Sequence, residues 1–217
     1  LAILNNAPMP TEAIHRIVEN YELFQELIAA HQGELEAICR GLSKLVIVDV
    51  SLDRSQDNPQ LIFESMNSTG LELSQADLIR NFVLMGLPHE IQDKIYNRHW
   101  YPMEGHFGQQ YRDRFDSFMR TYLTVRTGNI PREDEVYAVF KKHVMAMPET
   151  QPGEPHRMEV VAGDLNEQAG FYACIAFGKE ADPELRAAFH DLATLRADVA
   201  HPFLLEVYGD WKKGLLS

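Results

Sequence analysis

Residues 62–81 read "IFESMNSTGLELSQADLIRN". Pro59 starts a short helix whose apolar side carries Leu61, Ile62, Phe63 and Met66. Asn67 suits the end of that helix, because asparagine tolerates left-handed backbone and its amide bonds local main-chain groups. Gly70 permits positive φ in the turn. Ser74 caps a second helix, and Asp77 three residues later makes an acidic form of the capping box. Leu78, Ile79, Phe82 and Val83 mark the inner face of that helix. Asp77, Arg80 and Asn81 share another face and predict a local ion pair. The stretch therefore reads as a capped helix–turn–helix corner, and it sets the fold class as mainly α.

The flanking sequence continues in the same way. Apolar residues from Ile14 to Ile28 recur at helical spacing, so a helix is predicted over 12–30, with a shorter one around Leu35 to Leu42. "KLVIVDVSL" at 44–52 is β-branched and bounded by polar residues, and it predicts one strand. Beyond the corner, helices are predicted near 75–86, 88–99, 108–126, 133–147, 157–177, 183–198 and 201–208. "WYPMEGHFG" at 100–108 reads as a break. It divides the chain into 1–105, which holds the corner, and a helical subdomain at 106–217. The expected architecture is helical and bundle-like, with one leftover strand.

Bulk properties narrow the function. The chain has 217 residues, 45% apolar content and a formal net charge of −12. No apolar run is long enough to span a bilayer, and no charged-then-apolar leader is present. A cytoplasmic location and no membrane partner are expected. Cys39 and Cys174 lie far apart in apolar helical patterns, which predicts buried, reduced thiols. The acidic balance repels a phosphate backbone, so the chain alone is a poor general DNA binder. Residues 91–126 are slightly basic, with Lys94, Arg98, Arg112, Arg114, Arg120 and Arg126. They form either a local basic face or an ordinary solvated helix surface. The chain opens "LAILNNAPMP" without methionine and closes on "DWKKGLLS", and both ends read as cuts from a longer protein.

The corner also resembles the signature of the GmrSD-type family, through Phe63, Glu64, Asn67, Gly70, Leu73, Asp77, Leu78, Ile79, Arg80 and Asn81. The closing stretch "TLRADVAHPFLLEVYGDWKKG" looks like the last helices of that family's N-terminal domain. The resemblance implies a modification-dependent restriction protein that cuts foreign, often phage, DNA. It also implies a ParB-like N-terminal half of α+β type, the source of the leftover strand, linked to hydrolysis of GTP or ATP with Mg²⁺. A histidine–asparagine–histidine nuclease would follow. The family's aspartate–glycine–glutamine–glutamine–arginine motif occurs nowhere in this sequence, and no nuclease motif is found. The implied product is a fragment that is non-catalytic alone and reaches DNA through the full-length protein.

In that reading Glu64, Asn67, Gly70, Arg80 and Asn81 form one wall of a nucleotide pocket. Gly70 admits a phosphate close to the backbone, Arg80 supplies a fixed guanidinium, and the helix start at Ser74 adds partial positive charge. Glu64 orients a water or Mg²⁺. The competing reading is a helical protein-interaction or regulatory module in which the corner is scaffold only. His89, His99 and His106 match no metal-ligand spacing, and no nucleophile–base pair is seen. No catalytic and no metal-binding residue is assigned.

Overall fold

The computed structural model describes residues 16–47, 62, 73–148, 150, 151 and 153–216. The chain divides into two compact units, residues 1–51 and 52–217. In the first, α1 (Arg16–Ala30) leads through a 3-10 turn into α2 (Leu35–Leu42). The apolar stripe of α1 carries Leu23, Phe24, Leu27 and Ile28, all exposed. The strand expected at 44–52 is not formed where it is described. Lys44 lies in a turn, and Leu45, Val46 and Ile47 are irregular and exposed. Residues 48–52 lie outside the described residues. A strand needs a ladder partner for its backbone groups, and no described residue is in a strand.

The second unit is helical. α3 (Gln75–Leu84) and α4 (His89–Ile95) come first. A π-helical turn, Tyr96–Trp100, joins α4 to α5 (Tyr101–Phe107). Then follow α6 (Tyr111–Thr127), α7 (Val136–Ala146), α8 (Arg157–Phe177), α9 (Pro183–Thr194) and α10 (His201–Lys212). The mainly α class read from the sequence is the observed one. No helix among the described residues is long and apolar enough to cross a membrane.

α8 is the central helix and packs on α3, α4, α5, α6, α9 and α10. Val161, Ala162, Leu165, Ala169, Tyr172 and Ala173 form its wide buried face. The α4–α5 run lies alongside it in parallel. Lys94 Nζ sits 2.6 Å from Glu159 Oε1 near the first end, and Lys179 Nζ donates to the His106 carbonyl at the far end. Between them the His99 and His106 rings rest on Gly163 and Gly170. A Cβ added at either glycine would lie 3.5 Å from the nearest ring atom. The small residues let two half-buried imidazoles approach the helix backbone. No group of three or more His, Cys, Asp or Glu that could hold a metal occurs among the described residues.

The break expected at 100–108 is instead helical and central to the core. Trp100, Met103 and Phe107 are buried. The Tyr101 N–H donates to the Tyr96 carbonyl, five residues back. That wider turn carries the chain past Pro102, which has no N–H to give. The sequence boundary between 105 and 106 therefore falls inside α5. Gly105 is exposed in this helix, and a Cβ there meets nothing within 4 Å. Gly105→Ala should raise stability by about 0.5–1 kcal/mol by removing glycine's backbone entropy. A thermal melt that moved down would show that the glycine serves another purpose.

The turn between α8 and α9 is fixed by a buried carboxylate. Glu180 is 3% exposed. Its Oε1 accepts from the Asp182 N–H at 2.9 Å. Its Oε2 accepts from the Tyr208 hydroxyl and lies 3.3 Å from Lys212 Nζ. Asp182 then caps α9 by accepting from the Glu184 and Leu185 N–H groups. Both cysteines are free; Cys174 is half-buried, and Cys39 on α2 is exposed rather than buried as expected.

Candidate functional site

α3 carries the described part of the 62–81 corner. Its start is tied down three ways. Ser74 Oγ accepts from the Asp77 N–H at 3.1 Å and donates to Asp77 Oδ2 at 2.8 Å, so the expected Ser74 cap is present, with the Asp77 carboxylate bonded to the serine hydroxyl. The Ala76 N–H donates to Asp116 Oδ1 on α6 at 3.1 Å. The Tyr137 N–H, at the start of α7, donates to Gln75 Oε1 at 2.7 Å. These side chains satisfy orphan amides at helix starts. Ala76, Ile79, Phe82, Val83 and Leu84 are buried. The corner's second helix is therefore rigidly seated on the helical core.

Arg80 and Asn81 leave that buried face and are partly exposed. The ion pair expected within α3 does not form. Asp77 is taken by Ser74, and Arg80 turns to α5, where its Nη1 lies 3.6 Å from Glu104 Oε1. The guanidinium also stands 5.5 Å from the centre of the Tyr96 ring. Glu104 accepts from the buried Trp100 Nε1 at 3.0 Å. Nearby, Tyr111 Oη is buried without a hydrogen-bond partner among the described residues. Burial, followed by the Glu104 charge, pushes its phenol far above the usual range. Glu104 and Tyr96 were not singled out from the sequence as partners of Arg80; Glu104 lies on α5, which Pro102 and Gly105 disguised, and Tyr96 in the π-helical turn before it. Asn81 lies at the next position, and its carbonyl accepts from the Met85 N–H. Glu64, Asn67 and Gly70 lie outside the described residues.

On the far side of Asp116 is a cleft of about 580 Å³ between α6, the start of α7 and the start of α10. It was missed on sequence because its walls are distant in the chain. Arg120 donates to the Pro131 carbonyl at 2.8 Å and lies 3.8 Å from Glu133. His201 lies 3.8 Å from Asp198. Burial lowers the His201 pKa despite that carboxylate, so its ring is neutral near pH 7. Tyr172 lines the cleft, and burial lifts its phenol to about 12. Burial likewise raises the Asp116 carboxyl, although the Ala76 N–H opposes this. Of the two arginines that line the cleft, Arg120 pairs with Glu133 and Arg114 has no ion-pair partner among the described residues.

The basic segment 91–126 resolves in the same manner. Lys94 pairs with Glu159, Arg120 with Glu133, and Arg126 with Asp164 at 2.5 Å. Arg98, Arg112 and Arg114 are exposed and unpaired among the described residues. Pairing of half the cations leaves little continuous positive surface, which favours the reading as a solvated helix face.

A model of the family described as the GmrSD restriction endonuclease, N-terminal domain, matches residues 4–84. No curated protein matches the chain, and no solved structure does. The matched segment contains the whole 62–81 corner and stops at Leu84, the last residue of α3. Residues 4–84 are thus similar to the N-terminal domain of the GmrSD restriction endonuclease, the family that the corner resembles.

Proposed function

We propose that this chain is part of a cytoplasmic, nucleotide-dependent restriction protein directed at modified DNA, and that its corner forms one wall of a GTP or ATP pocket. The family match over 4–84 carries the reading. The placement of Arg80 supports it: a half-exposed guanidinium, steadied by Glu104 and Tyr96, on a helix whose start is capped by Ser74 and Asp116. A guanidinium held in advance loses less entropy when it meets a phosphate. Asn81 stands beside it, and Glu64, Asn67 and Gly70 complete the proposed wall. Hydrolysis, Mg²⁺ binding and DNA cleavage are assigned to the full-length protein rather than to the helical unit.

The test is calorimetry of the full-length protein with GTP and with ATP, each with Mg²⁺. Arg80→Gln should weaken nucleotide binding by about 10- to 100-fold, the value of a charge-assisted hydrogen bond. Glu104→Gln should keep or strengthen binding, because it frees the guanidinium. Equal loss in both variants, with a matching drop in thermal stability, would make Arg80 a structural ion pair. Unchanged affinity in Arg80→Gln would remove it from the pocket.

A second reading, as a protein-interaction module, is favoured by a separate observation, the exposed apolar ridge of α10.

A further inference from the structure

α10 turns one side into the core and leaves the other bare. Leu205, Tyr208 and Gly209 are buried. The ring of Phe171 sits 3.4 Å from where a Gly209 Cβ would be, so this inner face is closely packed. The opposite side carries Phe203, Val207 and Trp211 at successive i+4 positions, which are 69%, 37% and 41% exposed. Val199 before the helix and Leu215 after it are also exposed, at 88% and 70%. Three large apolar residues in one i+4 row exceed the scattered exposure of an ordinary surface and mark an interaction site.

The charges beside the ridge define its partner. Glu206 and Asp210 lie three positions after Phe203 and Val207, beside the ridge, and neither has an ion-pair partner among the described residues. The nearby lysines are already engaged, Lys212 with Glu180 at 3.3 Å and Lys213 with Glu167 at 2.7 Å. The free charge on this face is therefore negative. Pairing α10 with its own copy about a twofold axis would set Glu206 and Asp210 near their equivalents, and like charges across an interface are costly. An anionic lipid surface or a nucleic acid meets the same repulsion.

We propose that the exposed ridge of α10 is a docking site for a basic amphipathic helix of another protein. Its apolar anchors at i and i+4 would lie along Phe203, Val207 and Trp211, and its Lys or Arg residues would face Glu206 and Asp210. Ridges spaced by four residues interlock with each other in the commonest class of helix crossing, and helix-in-groove recognition reads such anchors. The inference is independent of the nucleotide pocket.

The two tryptophans supply a readout. Trp100 is fully buried, and Trp211 is 41% exposed, so a blue shift of emission on binding reports burial of Trp211. The probe is a synthetic 18-residue helical peptide of leucine and lysine with its leucines on one face, titrated at two salt concentrations. Controls are its leucine–glutamate counterpart and a lysine peptide lacking the leucine face. The expected result is a blue shift with the leucine–lysine peptide alone. Phe203→Ser and the pair Glu206→Lys with Asp210→Lys should each lower affinity at least tenfold. Phe203 and Glu206 are exposed and Asp210 is partly exposed, and circular dichroism verifies that the variants fold. Equal binding to the variants means the peptide senses only the overall acidity, and it overturns the proposal. So does dimerisation of the protein through this face in sedimentation, or a shift with phosphatidylserine vesicles in place of the peptide.

Discussion

Phe107→Ala should cost the second unit about 3–5 kcal/mol, the range for deleting a fully buried aromatic ring. Phe107 is 3% exposed. Its ring centroid lies 5.5–6.3 Å from those of Tyr111, Phe115, Phe118, Tyr172 and Phe177. These residues come from α6 and α8, so one ring at the end of α5 joins three helices. Aromatic pairs at such separations add to the energy of area burial. A rigid interior leaves most of the vacated volume open. The loss is a large fraction of the total stability of an ordinary domain. Denaturant titration should show a much lower midpoint with an unchanged slope. Phe107→Leu keeps much of the volume and should recover over half of the loss. A midpoint unchanged in Phe107→Ala would mean that the three helices do not depend on this ring.

The second large effect belongs to Glu180. Burial alone would push its carboxyl up, but the Asp182 N–H, the Tyr208 hydroxyl and the Lys212 ammonium reverse this and hold it at about 2. Unfolded, the group titrates near 4.5. Because the folded value is the lower one, the stabilisation is fully present above about pH 4.5. It is lost progressively as pH falls toward 2. Glu180→Gln should cost about 1.5–3 kcal/mol at pH 7, the value of hydrogen bonds to a charged group. Its stability should also fall less steeply than that of the parent between pH 4.5 and 2. Parallel curves for the two proteins through that window would show that Glu180 does not carry this acid sensitivity.

The residues divide into those whose environment is local and those whose environment is not. Ser74 and Asp77 are three apart, so their mutual cap follows from spacing alone. The buried set Ile79, Phe82 and Val83 follows from helical period in the same way. Arg80 is different. Its nearest acidic neighbour in the chain is Asp77, yet Asp77 is already bonded to Ser74, and Glu104 stands across the helix interface. No local rule selects that partner. The stretch at 100–108 failed for a related reason. Proline and glycine mark turns when solvent competes for the backbone, but Trp100, Met103 and Phe107 bury enough surface to hold the helix through them. The cleft beside Asp116 depends on three elements meeting in space. Glu180 sits in a segment that reads as a polar loop, and only Tyr208 and Lys212, about thirty residues later, make it a buried anchor. Residues 44–47 show the opposite error, since β-branched composition alone does not make a strand.

The two histidines and two glycines act together as a vernier. His99 and His106 are seven apart, and so are Gly163 and Gly170. One alignment of the two parallel helices places both rings over bare backbone. A slide of one heptad keeps His99 on a glycine but drives His106 onto Phe177. A slide of a single turn seats neither ring. The matched intervals reject wrong alignments more than they strengthen the right one. They fix where α5 ends against α8, and through Glu104 they fix how far along α3 the charge of Arg80 is held.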